Sequence, residues 1–529
     1  MHNYPVNSVY HIAKADFLQR IRSYNFLIAL GISVFLIYTF VPPLSASYRI
    51  VSLGNYRGLY NSAWIGGMVA SCVPFFALIG FYLINYAVKR DVDTGVGQIV
   101  ATTRISNIQY LSGKLLSNFA VLLAILLVIM AMTIIMFLVR GETNHIEFDK
   151  LLLPLIFLVA PAMFIIACIA LFFDTLTISI NRGIVNIIYF FLWTFLISSG
   201  LISPLLDILG TDILISEIKN TLSITHHDWN GDFGTGIMLA GSSVNNQVFI
   251  WDGMNWSISL LFFRLFWMMA FLGLIFLSLV SFNRFDDSKI GKSQRRIKIR
   301  PKKRTTRIDE MTIHPPLTWQ NAPQPEARFS FFSILKAEIH LMVKGRSKLW
   351  LIVTSILFTT SLFAPVSFAY KISLPLLWFF QILILSKIGC REINNRCNGY
   401  IFSAAFPIRR QLPATFTAAS LLMFFLALPV VLRTLLNADF YSVYAITAGA
   451  LFIPSFAITL GILTGGSKLF EVLFTIIVYG YFNDVPFFDF TGAIQESHFL
   501  GMANYFLIIT LILIILAFLV RKRQIRHTQ

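Results

Sequence analysis

Apolar runs of about 17 residues or more recur along the whole of this 529-residue chain, the length a helix needs to cross a hydrocarbon layer of about 30 Å. They fall at 26–41, 64–88, 115–139, 151–173, 183–205 and 257–281, then at 349–365, 372–389, 414–436, 441–463, 469–482 and 499–520. The eleventh is short enough to be partly re-entrant. A backbone in lipid must satisfy its own hydrogen bonds, so such runs are read as helices. With 57% hydrophobic and only 13% charged residues, about half the charge of a soluble domain, the fold class is all-α integral membrane, with twelve transmembrane helices.

The net charge of +17 is distributed as a membrane topology requires and not as a nucleic-acid surface. Eleven Lys or Arg lie between Arg284 and Arg307, and the tail from Arg521 onward is also basic. The positive-inside bias puts both in the cytoplasm. With six spans before the basic stretch and six after it, both termini are cytoplasmic, and the acid-rich segments around 142–149, 207–232 and 484–496 are external. The N-terminal stretch lacks the short apolar core and cleavage site of a signal peptide and is expected to be retained. The stretch 283–329 reads as a solvated connector, with an anionic-lipid or nucleic-acid patch as the alternatives. Its Ile290–Ser293 ends like a phosphate-binding loop, but Asp286 stands where the first glycine is needed. Cys72, Cys168, Cys390 and Cys397 imply no disulfide framework and match no metal-ligand spacing.

The two sets of six spans echo each other. Ile12–Phe17 (IAKADF) pairs with Ile334–Ile339 (ILKAEI) at an offset of 322, and Arg90-Asp91 with Arg391-Glu392 at 301. Gln98–Thr103 pairs with Tyr400–Ala405 at 302, Pro161 with Pro454 at 293, and NIIYFF with TIIVYG at 289. The matches are collinear and the offset shrinks steadily, so we read two halves, 1–282 and 330–529, related by a pseudo-twofold along the membrane normal. Before each half runs an amphipathic segment with an apolar stripe, Val9, Ala13, Phe17 and Ile21 in one and Phe331, Leu335, Ile339 and Val343 in the other. Each is expected to lie flat at the interface with its cations, Lys14 and Lys336 among them, on the opposite face.

These features resemble the permeases of ABC exporters, the ABC-2-type membrane components. The resemblance rests on the interfacial helix and on the loop after the second span, here Arg90, Asp91, Thr94, Gly95, Gln98, Ile99, Thr102, Ser106, Tyr110, Gly113 and Lys114. It rests also on the six-span unit with its largest outer loop, 206–256, between the fifth and sixth spans. It implies that the loops, with Lys14, Asp16, Phe17, Lys336, Glu338 and Ile339 of the interfacial helices, dock a pair of separate ATPase subunits. The chain itself would be no enzyme and bind no cofactor, ATP and Mg being held by the partner. Membrane lipids are the other partner, nucleic acid is not, and accessory proteins are unspecified. The cargo would be amphipathic, lipid-like or drug-like, and the location the inner (cytoplasmic) membrane. In the second copy Arg391 and Glu392 remain, but Thr-Gly has become Asn395-Arg396 and Gly-Lys is lost, which points to unequal docking.

Other readings stay open. Taken without the repeat, Arg90 and Asp91 read as a solvated helix-end ion pair worth about 0–1 kcal/mol; the repeat puts the coupling role ahead. A twelve-helix secondary transporter shares the six-plus-six layout, but such proteins carry ionisable groups in their spans. The sequence places no Asp or Glu deep in a run; its clearest intramembrane charge is Arg264, with Arg433 near an outer end. Arg264 reads as a snorkelling or structural charge, with contact to an anionic substrate as the alternative. A membrane-embedded enzyme would need a site such as His226, His227, Asp228 and Asp232 in the outer loop. Adjacent histidines diverge there, and the WNGD that follows reads as a turn.

Overall fold

The computed structural model describes residues 4–46, 48–176, 182–203, 206–229, 231–239, 247–282, 330–344, 346–404, 406–494 and 501–528. The basic stretch 283–329, with its decoy Gly-Lys-Ser, lies outside them. Each of the twelve apolar runs is helical over most of its length. Among the described residues, seven helices are long and apolar enough to cross a membrane, and nine are if each of two bent pairs counts as one span. The protein is therefore a helical membrane-embedded chain.

The helices depart from simple rods for local reasons. The second run breaks at Ser71-Cys72, just before Pro74, and bends by 45°. The third, Asn107–Arg140, has 34 residues, about 50 Å at 1.5 Å per residue. It therefore outreaches the hydrocarbon, and its first turns belong to the surface. Ser106 opens it with a capping box, taking the Gln109 backbone N–H while the Gln109 side chain takes its own. Pro154 precedes a π-helical turn, Leu155–Val159, in the fourth.

The segments that join the helices gather at two ends. At one end, here the loop face, lie residues 85–106 and 386–406, held to the 464–468 corner by Lys468 Nζ on the Asn85 carbonyl (3.0 Å). At the other, the cap face, two short strand pairs join the helices. Strand Tyr48–Ser52 pairs antiparallel with Gly234–Leu239, and Tyr56–Gly58 pairs parallel with Gln247–Phe249. Residues 4–282 meet 330–528 along an aromatic seam, with Phe190 on Phe379 and Trp193 on Tyr479, both pairs at 4.6 Å between centroids.

The seam corrects one expectation. Glu471 accepts from Asn186 Nδ2 at 2.6 Å across it, and Asp174 accepts from the Val88 N–H at 2.7 Å; both carboxylates are buried. They sit at the ends of apolar runs, where sequence depth looks shallow but neighbouring helices close over them.

Candidate functional site

The loop face is organised by one residue of the N-terminal helix, α1 (Tyr4–Ile21). Asp16 is buried and gathers three cations, Arg20 at 2.7 Å, Arg90 at 2.6 Å and Lys114 at 2.9 Å, plus the Ser117 hydroxyl at 2.8 Å. Lys114 also bridges to Asp91 at 2.8 Å, and Asp91 accepts from the Tyr110 hydroxyl at 2.7 Å. Arg20 reaches on to the Ile84 carbonyl. A network this dry is costly to break at one member, since the others keep buried charge without a partner. It welds α1, the loop and the start of the third helix into one body.

Two expectations about α1 change. Its buried face is Ala13, Asp16 and Arg20, while Phe17 is only partly covered and Lys14 is exposed over the Tyr10 ring. The helix is turned by one residue, about 100°, from the pure apolar stripe, because the acid must face its cations. The helix Phe331–Val343 does the same: Glu338 and Met342 are buried, while Lys336 and Ile339 are exposed. Gly113, read as part of the loop, is instead a close-crossing site. A Cβ there would stand 2.8 Å from Ile12 Cγ2 and 3.2 Å from the Val9 carbonyl.

The loop itself is two short helices, α2 (Ala87–Asp93) and α3 (Val96–Thr102), joined at Gly95, whose φ of +77° suits glycine. The Thr94 hydroxyl donates to the Arg90 carbonyl, and that of Thr102 to Ile99. Gln98 and Thr102 lie on the exposed side, and Ile99 protrudes at 67% exposure.

The second loop repeats these bonds. Arg391 Nη2 meets Glu338 at 2.6 Å, as Arg90 Nη2 meets Asp16. Glu392 accepts from Gln411 at 2.6 Å, 19 residues on, the spacing of Asp91 and Tyr110. Asn395 donates to the Arg391 carbonyl at the position of Thr94, and Ser403 to Tyr400 at the position of Thr102. Arg396 stands where Gly95 does, with φ of +55° despite its side chain. Within the loops and the helices that follow them these correspondences run at offset 301, with Asp16 and Glu338 of the preceding helices at 322, so the pairing of Gln98–Thr103 at 302 is one residue out of register. At 301, exposed Ile99 faces Tyr400, which is 87% exposed.

Sequence reading missed Arg20, Ser117, Gln411 and Arg521. Arg521, from the final helix, is buried and takes up the charge that Lys114 supplies in the first copy, where the second has Thr415. It bonds Glu392 at 3.2 Å and the Gly389 carbonyl at 3.3 Å, over the Phe402 ring. A further pairing at the cap face was also missed. Gly210 N–H donates to Asp207 Oδ1 at 2.7 Å and Gly492 N–H to Asp489 Oδ1 at 2.6 Å, with φ of +88° and +82°. Asp-x-x-Gly in both places, at offset 282, was its signal.

Arg264 serves the first of these turns. Its Nη1 donates to the carbonyls of Asp207 at 2.9 Å and Ile208 at 3.1 Å, so it is a structural charge. Two of the residues weighed as a metal site are likewise engaged with neighbours: His226 packs on the Tyr56 ring, and Asp228 accepts from the Tyr56 hydroxyl at 2.8 Å. No group of three or more His, Cys, Asp or Glu placed to share a metal occurs among the described residues. Arg57 clamps Glu142 through both guanidinium nitrogens and holds its carboxyl below the usual range. Burial, with Asp207 beside it, pushes Asp212 up to about 6.

The chain matches no family model, no curated protein and no solved structure.

Proposed function

We propose that this chain is the membrane permease of an ATP-driven exporter, twelve spans in two fused halves with both termini in the cytoplasm of a cell with an inner membrane. The loop face is then cytoplasmic and receives two ATPase subunits, which hold ATP and Mg; the cargo is amphipathic or lipid-like and passes at the seam. What supports the reading is that the same loop is built twice, each time welded to the preceding helix through an acid–arginine pair of 2.6 Å. A force applied to either loop is carried into helices and not absorbed by a floppy connector. The test is co-expression with an ATPase encoded beside it: a stable complex with cargo-stimulated hydrolysis is expected, and none from the chain alone. Robust transport driven by a proton gradient with no ATPase present overturns it.

One observation favours the second reading, an ion-coupled secondary transporter: Asp174 and Glu471 are buried carboxylates of the kind such proteins titrate. Both already hold hydrogen bonds within the bundle, which suits a structural part. The proton-gradient experiment separates the two.

A further inference from the structure

The cap face of the first half holds a cavity of about 310 Å³ between residues 42–51 and the start of the helix Ser62–Ala70. That is the lower end of the size range of small-molecule sites, about 300–1,000 Å³. Its walls have two characters. Pro43, Leu44, Ile50, Val51, Trp64 and Met68 supply apolar lining. Arg49 and Arg57, with the Tyr48 and Tyr60 rings, supply the polar lining.

The charge is unbalanced. Arg49, Arg57, Arg140 and Glu142 all act on the Tyr60 hydroxyl, which itself donates to the Pro42 carbonyl at 2.9 Å. Glu142 is consumed by Arg57, at 2.7 and 2.9 Å. Arg140 stacks on Tyr38 at 4.2 Å and donates to the Tyr38 and Val41 carbonyls, with no ion pair among the described residues. Arg49 lines the cavity and makes no ion pair among the described residues. Three guanidiniums therefore share one carboxylate, and a cation without a counter-charge recruits an anion. The rim gives the rest of the ligand. Leu44 is exposed at the end of the helix Tyr24–Phe40, whose exposed side carries Leu27, Phe35 and Tyr38, the surface of a helix that meets lipid.

We propose that this cavity is a binding site for an anionic amphiphile, whose phosphate or carboxylate meets Arg49 while its chain lies on the Trp64–Met68 wall. The site does not depend on how the protein is powered. It gives the exporter reading a place on the outer face where an anionic lipid-like cargo pauses or a leaflet lipid sits.

The experiment uses the purified full chain in a neutral detergent, with dodecyl phosphate carrying a bromine on its chain as a quencher of Trp64 and W64F to assign the signal. Saturable quenching is expected, weakened about tenfold in R49Q, equivalent to about 1.4 kcal/mol, and largely kept in R49K, which shows that the fold is intact. Equal binding of a brominated neutral dodecyl glycoside, or unchanged affinity in R49Q, overturns the proposal. Inorganic phosphate competing as strongly as dodecyl phosphate overturns the amphiphile part and leaves a plain anion site. None of these outcomes bears on ATPase recruitment, so the site and the exporter reading fail separately.

Discussion

The loops at 87–106 and 391–406 share a backbone and differ in what holds them. The first is closed by Lys114, a residue of the helix that follows it, bridging Asp16 and Asp91. The second has Thr415 at that register, and its Glu392 is neutralised from a distance by Arg521 of the last helix. Their outward surfaces differ too. The first exposes Val96, Ile99 and Ile108 with Asp93 and Arg104; the second exposes Tyr400, Phe406, Arg396 and Arg409 with no acid. Two loops can thus share one geometry while they differ in electrostatics, because hydrogen bonds from threonine, asparagine or serine to the backbone define the turn whatever charge surrounds it.

The largest expected contrast is between the two acids of the interfacial helices. Asp16→Ala leaves buried Arg20 without its carboxylate and Lys114 with Asp91 alone, a loss of about 3–5 kcal/mol. Glu338→Ala removes a single pair whose arginine is partly solvated, a loss of about 1.5–3 kcal/mol. Thermal unfolding of the purified variants should show D16A far less stable than E338A, and equal shifts would remove the asymmetry. Next in size is Arg521→Gln. Cys390 is buried beside Glu392 and Cys397 donates to the Glu392 carbonyl, so both thiols report on the second loop. Maleimide labelling of Cys390 should rise several-fold in R521Q and stay at the wild-type level in K114Q. If K114Q opens the thiol as well, the loops are held in common and not separately. In an exporter assembled as proposed, disruption of Arg90–Lys114 should uncouple transport more than disruption of Arg391–Ala414.

How much of this was legible depended on range. Helical runs and the likeness of the two loops were readable, because hydropathy and matching residues can be read from the string itself, whereas the pairs that tie each loop to the preceding helix were not. The rotation of α1 was not: its apolar stripe through Phe17 is real, but Asp16 takes the bundle side because Arg90 and Lys114 wait there, 74 and 98 residues away. Arg521 was illegible for the same reason, its partner Glu392 lying 129 residues back. Hydropathy marks the depth of Glu471 and Asp174 along a run, whereas burial comes from helices packed around them. The cap-face strands are only three to six residues long, too short for an alternating pattern to announce them.

Smaller effects sharpen the comparison at the backbone. Gly95→Ala places a Cβ at φ of +77° with nothing within 4 Å, so its cost is conformational strain alone, about 1–2 kcal/mol. Arg396→Gly relieves the same strain in the other copy and should stabilise it by no more than that. A loss in both variants would mean that the two turns are not the same structure.

The smallest contrast is at the cap face and depends on pH. The turns at Asp207 and Asp489 correspond, but Asp212, which follows the first, meets Ile494 at the second at the same offset. Asp212 Oδ2 is buried with no hydrogen-bond partner among the described residues, packed where a Cβ on Gly200 would fall. Its pKa is raised from 3.8 to about 6, so the folded state prefers the protonated acid. The associated stability is full below pH 4 and is lost as pH rises through about 6. The helix Thr211–Thr225 should therefore exchange its amide hydrogens more readily, relative to intrinsic rates, at pH 7.5 than at pH 5, while residues 485–494 show no such step. Asp212→Asn should abolish the difference, since the amide cannot ionise. Persistence of the step in D212N would assign it to another group and leave the two caps electrostatically alike.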